Sequence, residues 1–158
     1  ARKESRCLGA FYYLLASIHN QTGNLEKSFE NILKSISQYN ESHEDYGTES
    51  ESPLEEALKI LIEEVKPKIF EVYLFLIELF VKKKEFGQAI KSIEEGFQHI
   101  SSTHTNRAHN IKSFLRGLIL LRKPNQPEFS QLNKTIENHV EKFKLYFGSS
   151  LSSSKILA

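Results

Sequence analysis

The chain lacks residues on which several classes of protein depend. Its 158 residues include no methionine, no tryptophan and a single cysteine, Cys7. One cysteine cannot form an internal disulfide, so we expect a reducing compartment. No apolar run is long enough to cross a bilayer, and no secretory signal pattern is present. Because the chain contains no methionine, we expect it to be a fragment of a larger protein.

Neither sign of charge is in excess. The chain has 21 basic and 20 acidic residues, for a net charge of +1. Proteins that bind duplex nucleic acid usually carry a strongly basic domain or stripe, so direct DNA binding is not expected from this fragment. A chain of this length suits one domain and buries roughly 70% of the surface that its unfolded form exposes.

The motifs of common enzymes are also missing. There is no phosphate loop, no Gly-rich dinucleotide turn and no G-x-S-x-G elbow. None of the six histidines belongs to an H-E-x-x-H motif, and the three at His99, His104 and His109 are five residues apart, which turns them off a common helix face. We therefore expect no enzymatic activity, no metal and no cofactor.

What the sequence does contain is helical periodicity. Apolar residues recur at spacings of three and four almost everywhere, and no alternating strand pattern persists. Seven helices are predicted, near residues 8–22, 25–39, 52–65, 67–83, 86–97, 111–121 and 129–147. The fourth is apolar nearly all round, so we expect it to lie at the centre, surrounded by the others. The fold class is all-α, with adjacent helices packed antiparallel in a helical-hairpin bundle.

Composition divides the chain into a domain and a tail. Residues 1–148 are predicted to form a single helical domain. Within it, residues 41–51 have five acidic residues and no aliphatic one, which is typical of a solvated loop. Residues 149–158 are predicted to form a Ser-rich tail.

Two stretches fit a helical-hairpin template in register. The first comprises Tyr12, Leu15, Ala16, His19, Gly23, Leu25, Ser28, Ile32 and Ser35, and the second comprises Tyr73, Leu76, Phe80, Phe86, Ala89, Ile93 and Gly96. These patterns resemble tetratricopeptide-like repeats. The second copy is displaced along the sequence by the number of residues from Tyr12 to Tyr73, and we call this separation in residue number the hairpin offset. It is much longer than the repeat of that family, which has roughly 34 residues.

A second resemblance is carried by four pieces in order. They are "NLEKSFEN" at 24–31, "SPLEEAL" at 52–58, "KKKEFGQAIKSI" at 82–93 and "EFSQLNKTI" at 128–136. Together they resemble the telomeric repeat factor homology (TRFH) domain of shelterin proteins. That resemblance implies a helical scaffold domain in telomere or genome maintenance, located in the nucleus, with the cytoplasm as the alternative.

The TRFH resemblance also implies a binding site. Members of the family dock short peptides of the F/Y-x-L-x-P type, and their peptide-stacking phenylalanine aligns with Phe29. The predicted groove combines Phe29 with four residues of the first helix, Phe11, Tyr12, Leu15 and His19. Phe29 also lies in an apolar stripe at helical spacing, which is typical of a core residue. Whether Phe29 is an anchor or a core residue therefore stays open.

Three functions remain as alternatives. The first is a TRFH-like domain that docks short linear motifs of partner proteins. The second is a tetratricopeptide-like adaptor in a multi-subunit complex. The third is a nucleic-acid binder with a basic groove built from Lys66, Lys68, Lys82, Lys83 and Lys84. None of them uses a small-molecule substrate or a membrane, and dimerisation is left open.

Overall fold

A computed structural model describes residues 2–42, 68–102 and 106–147. These residues form six α-helices and one short 3₁₀ turn at Pro127–Phe129, without any strand in the part described. The helices are α1 (Arg2–Gln21), α2 (Leu25–Ser42), α3 (Ile69–Lys82), α4 (Phe86–Ser101), α5 (Arg107–Leu121) and α6 (Ser130–Phe147). The all-α prediction is confirmed.

Six of the seven predicted helices have a counterpart at the expected place. The third predicted helix, at 52–65, lies outside the described residues, as do the tail and most of the acidic loop. One boundary differs, because α2 continues to Ser42 and so takes up the first two residues assigned to that loop. Helix ends are the part of a helix that periodicity determines least.

The chain separates into two compact units, residues 1–72 and residues 73–158. The first contains α1 and α2, and the second contains most of α3 together with α4, α5 and α6. The boundary falls inside α3, after Val72. The prediction of a single domain over 1–148 stays a prediction.

The turn between α1 and α2 follows from one glycine. Gly23 has a φ of +85°, in the left-handed region that glycine enters without cost. The amide of Gly23 donates to the carbonyl of Asn20 at 3.2 Å, and the amide of Asn24 donates to the carbonyl of His19 at 2.8 Å. This pair of hydrogen bonds is the Schellman motif, which satisfies the last carbonyls of α1.

The turn between α3 and α4 repeats the same geometry at the hairpin offset. Lys84 has a φ of +58°, and its amide donates to the carbonyl of Val81 at 3.0 Å. The next amide, of Glu85, donates to the carbonyl of Phe80 at 2.9 Å. The C-terminal ends of the first helices are separated by the same offset, since α1 ends at Gln21 and α3 ends at Lys82. The two hairpins are therefore built on one backbone pattern.

Small residues hold α1 against α2. The hydroxyl of Ser28 donates to the carbonyl of Ala16, and that of Ser35 donates to the carbonyl of Gly9, both at 2.7 Å. All four residues are buried. A serine hydroxyl reaches a backbone carbonyl of a neighbouring helix only when the axes approach closely, near the short end of the usual range of about 8–10 Å. The α1–α2 interface is hydrogen-bonded at these two points, and Ile32 and Ile36 of α2 are buried as well.

Aromatic rings fill the second unit. The ring of Phe97 meets that of Phe114 edge-on, with centroids 4.8 Å apart, and stacks on those of His139 at 4.4 Å and Phe143 at 5.6 Å. Gly96 makes room for this cluster. A Cβ there would lie 2.7 Å from Cζ of Phe114, so any side chain would force the buried ring to move.

Helix α3 is covered almost all round, as its composition predicts. Only Glu78 and Lys82 of its fourteen residues are exposed. Although its side chain reaches solvent, partial desolvation by neighbouring residues raises the pKa of Glu78, and Lys82 opposes that rise. Burial also raises the pKa of Tyr73, and the carboxylate of Glu95 adds to the rise. The Tyr73 phenol therefore stays neutral across the physiological range.

Candidate partner-docking face on α1

An apolar surface of α1 points away from α2. Phe11, Leu14 and Ile18 are 52%, 60% and 54% exposed, and Leu8 is 38% exposed. With the half-buried Leu15 they define the α1 outward face, residues Leu8, Phe11, Leu14, Leu15 and Ile18. At about 100° per residue these five occupy one arc, roughly opposite Gly9 and Ala16.

The apolar stripe that periodicity predicts on α1 is therefore not the surface that packs on α2. That stripe consists of Leu8, Phe11, Tyr12, Leu15 and Ile18. All of them except Tyr12 belong to the outward face, and small residues make the helix contact instead. The physical reason is the close approach of the two helices at Gly9 and Ala16, where a leucine or phenylalanine side chain would displace the serine hydroxyls from their carbonyls.

The α1 outward face is large and carries no charge. No Asp, Glu, Lys or Arg occurs between Leu8 and Leu25. The exposed parts of its side chains amount to a few hundred Å², about the size of the largest apolar patch on a typical monomer, and such patches are often functional.

The equivalent face of α3 is closed. At the hairpin offset, Phe11 corresponds to Val72 and Ile18 corresponds to Leu79, and both of these α3 residues are fully buried. Leu15 corresponds to Leu76, which is 3% exposed. At these three positions the helix surface is covered in the second hairpin, whereas in the first it is exposed at Phe11 and Ile18.

Three predicted groove residues share one strip along the edge of the outward face. Tyr12, Leu15 and His19 are spaced three and four apart, and all are half-buried. The ammonium of Lys34, on α2, lies over the ring of Tyr12 at 5.6 Å from its centroid. Phe11 lies further round the helix, within the outward face.

Phe29 lies on the other side of the α1–α2 hairpin. The line of α2 that faces α1 is marked by Ser28 and Ser35. Phe29 comes one residue after Ser28, and Lys34 comes one residue before Ser35. Their side chains are therefore rotated by about 100° around the helix axis from the serine line, in opposite directions. Because Lys34 is on the side of Tyr12, the structure does not bring Phe29 into the strip formed by Tyr12, Leu15 and His19. Phe29 is half-buried.

Two features of this region were not predicted from the sequence. They are the exposed Leu14 and the small residues that pack α1 on α2. Leu14 was left out because it departs from the spacing of the main stripe. The packing of α1 on α2 had a detectable signal, since Gly9 and Ala16 are seven residues apart and so are Ser28 and Ser35. A repeat of small residues every seven positions on two adjacent helices allows close antiparallel packing.

No family model, curated protein or solved structure matches this chain. A function must therefore come from the geometry of the molecule. The α1 outward face is the largest feature of the described residues that lacks an internal explanation.

A depression on the surface is explained by contacts within the chain. A shallow depression of about 420 Å³ lies beside the turn from Pro124 to Pro127. The side chain of Asn133 there exchanges two hydrogen bonds of 3.0 Å with the backbone of Lys123, and so braces the turn.

No three His, Cys, Asp or Glu side chains of the described part are grouped to hold a metal ion. None of the helices described here is long and apolar enough to span a membrane.

The basic run predicted as a nucleic-acid groove is partly neutralised. Lys83 pairs with Glu85 and Lys84 pairs with Glu128, each at 3.4 Å. Lys66 lies outside the described residues. These pairs leave little free positive charge at the turn between α3 and α4.

Proposed function

We propose that this chain is a non-enzymatic protein–protein interaction domain that holds a segment of a partner protein on the α1 outward face. The observation that carries the proposal is the exposure of Phe11 and Ile18 on a helix whose counterpart, α3, buries the corresponding residues Val72 and Leu79. Exposed apolar area of this extent is costly in water and gains free energy when a partner covers it.

The chemistry of the face favours an uncharged apolar occupant. A charged peptide would lose hydration on this surface without finding a counter-charge. A short linear motif of the F/Y-x-L-x-P type offers an aromatic ring and a leucine, and its proline keeps the peptide extended. Burying two or three such side chains contributes roughly 2 kcal/mol each, about 4–6 kcal/mol in all, which after the costs of association corresponds to weak binding with a Kd of roughly 0.1–1 mM.

A repeated-hairpin adaptor is the second candidate. It is favoured by the two hairpins, which share a turn geometry and recur at one constant offset. In stacked helical repeats each unit covers the apolar face of its neighbour. On that reading the α1 outward face receives another helical hairpin within a multi-subunit complex. The telomeric, nuclear role belongs to the first candidate, and the second would operate equally in the cytoplasm.

The test of motif docking is a fluorescence-anisotropy titration. A labelled F-x-L-x-P peptide is titrated with the wild-type chain and with the double variant Phe11→Ser/Ile18→Ser. We expect saturable binding with a Kd of roughly 0.1–1 mM that weakens at least about tenfold in the variant, since two anchors lose their burial. Leu33→Ser is the matched control, because Leu33 is also 52% exposed but lies on α2. It should bind like the wild type.

Phe29→Ala distinguishes an anchor from a core residue. Because Phe29 is half-buried and lies away from the strip of Tyr12, we expect this variant to lose about 1–3 kcal/mol of stability and to keep its peptide affinity. Loss of binding at unchanged stability would place the groove at Phe29. If a well-folded wild-type chain binds no motif peptide, motif docking is refuted. Binding of an isolated amphipathic helix, lost in Phe11→Ser/Ile18→Ser, would then favour the adaptor.

A further inference from the structure

A second surface, on α5, has the opposite character to the α1 outward face. The chain contains no Asp or Glu from Gly96 to Pro127, a stretch that includes five Lys or Arg residues. The core side of α5 is formed by apolar residues such as Ile111, Phe114 and Leu118, which are all buried. The basic residues in the middle of the helix therefore project from its remaining surface.

These residues form a continuous line, which we call the α5 basic stripe. It consists of His109, Lys112, Arg116, Leu120 and Lys123, spaced three, four, four and three residues apart. At 1.5 Å per residue the helical part of the stripe, from His109 to Leu120, is about 16 Å long, and Lys123 follows just after the helix ends at Leu121. Lys112 is half-buried, and the other four residues are exposed. Leu120, at 77%, is the most exposed large apolar residue of the described part.

The cations of the stripe have no acidic partner among the described residues. Neither Lys112, Arg116 nor the ammonium of Lys123 forms an ion pair there. The acidic residues nearest in the sequence are Glu95 and Glu128, and Glu128 pairs with Lys84 at 3.4 Å. Glu137 pairs with Arg122 at 3.5 Å, and Glu94 accepts a hydrogen bond of 2.8 Å from His139.

The helix dipole does not account for the stripe. Favourable interaction with the dipole is confined to the last turn of a helix, so it explains Lys123 and leaves Lys112 and Arg116 without a reason. Unpaired cations that stand in a row around an exposed leucine are complementary to a segment with acidic residues on both sides of an apolar one.

We propose that the α5 basic stripe docks an acidic peptide segment of a partner protein, with an apolar side chain of that segment on Leu120. Nucleic acid is the less favoured occupant. The stripe carries no Phe, Tyr or Trp ring on which unpaired bases could stack, and the net charge of the chain is only +1. This docking surface is independent of the α1 outward face.

The experiment uses the whole chain and a labelled twelve-residue peptide, EEGEELEEGEEE. We expect binding that weakens as NaCl rises from about 50 to about 500 mM, because exposed ion pairs are screened. The charge-reversal variant Lys112→Glu/Arg116→Glu should weaken binding by about tenfold or more. Lys27→Glu/Lys91→Glu is the matched control, since it changes the net charge equally at exposed positions outside the stripe. It should change the affinity less than threefold.

Further arms separate the alternatives. A peptide with Gln in place of every Glu should not bind, and a peptide with Ser in place of its leucine should bind several-fold more weakly. If the Lys112 change impairs folding, as judged by thermal melts, Arg116→Ala/Lys123→Ala replaces it and should still weaken binding several-fold. Equal losses in the stripe variant and its matched control, no binding by the wild type, or tighter binding of a 12-mer single-stranded or duplex DNA would each overturn the proposal.

Discussion

The two helical hairpins of this chain have the same backbone geometry at their turns and differ in the side chains that they bury. Both turn through a left-handed residue with the same two hydrogen bonds, at Gly23 in the first and Lys84 in the second. In α1–α2 the facing positions hold Ala16 and Ser28. The matching positions in α3–α4 are Ile77 and Ala89, both fully buried. Turn chemistry fixes the hairpin, while the residues at a few positions decide which face of the first helix becomes core.

That difference has a functional consequence. Because α1 is held by small residues and hydroxyl-to-carbonyl hydrogen bonds, its bulky apolar side chains are not needed for the helix pair and remain outside. In α3 such side chains are buried or half-buried. A helix that packs on its neighbour through small residues can present its bulky apolar side chains to a partner.

The largest expected effect comes from removing core volume in the second hairpin. Ile77→Ala deletes three buried carbon atoms and leaves a cavity, which should cost about 2–5 kcal/mol of unfolding free energy. Urea denaturation measures the loss. Ile18→Ala is the matched control in α1, where the side chain is half exposed, and it should cost less than about 1 kcal/mol. Similar losses in both variants would mean that the α1 outward face is covered.

A smaller loss is expected when the first hairpin receives the residue of the second. Ala16→Ile places a branched side chain between closely packed backbones and displaces the Ser28 hydroxyl from its carbonyl. The cost should be about 1–3 kcal/mol. The double variant with Ser28→Ala should lose less than the sum of the two single changes, since both act on one contact. Additive losses would contradict the close approach of α1 and α2, and Ala108→Ile on an exposed position controls for helix propensity.

The smallest effect concerns Glu78 on α3. Its pKa is raised above the ordinary value of 4.5 by partial desolvation, so the folded chain binds this proton more tightly than the unfolded chain. Its contribution to stability is therefore present at acidic pH and lost as the pH rises through the folded-state pKa. Glu78→Gln should remove that part of the pH dependence just above pH 4.5 and leave the chain at least as stable at neutral pH. Thermal melts at several pH values test this, and a variant that is less stable at neutral pH would contradict it.

Periodicity was enough to predict the helices, and less informative about their packing. Spacings of three and four located six described helices, and Gly23 marked the first turn, because these features depend on local sequence. The turn at Lys84 was harder to foresee, since a lysine in the left-handed region is not favoured by its own chemistry. The spacing of the apolar residues on α1 did not show which side of the helix packs on α2.

The candidate site was predictable only in part, for the same reason. Phe11, Tyr12, Leu15 and His19 could be assigned to one side of α1 from their spacing. The side of the hairpin on which Phe29 lies depends on which residues of α2 face α1, and that is set by Ser28 and Ser35. The basic stripe became visible only when the core side of α5 was known, because charge along a sequence does not show which cations lack a partner.

The most direct test of the account compares the outward faces of α1 and α3 in solution. Methyl relaxation of Leu14, Ile18 and Leu79 would be measured by NMR with a neutral soluble gadolinium chelate, before and after addition of the F-x-L-x-P peptide. We predict strong relaxation at Leu14 and Ile18, weak relaxation at Leu79, and protection of the two α1 methyls when the peptide binds. Weak relaxation at the α1 methyls in the free chain would show that their face is already covered and would contradict the account.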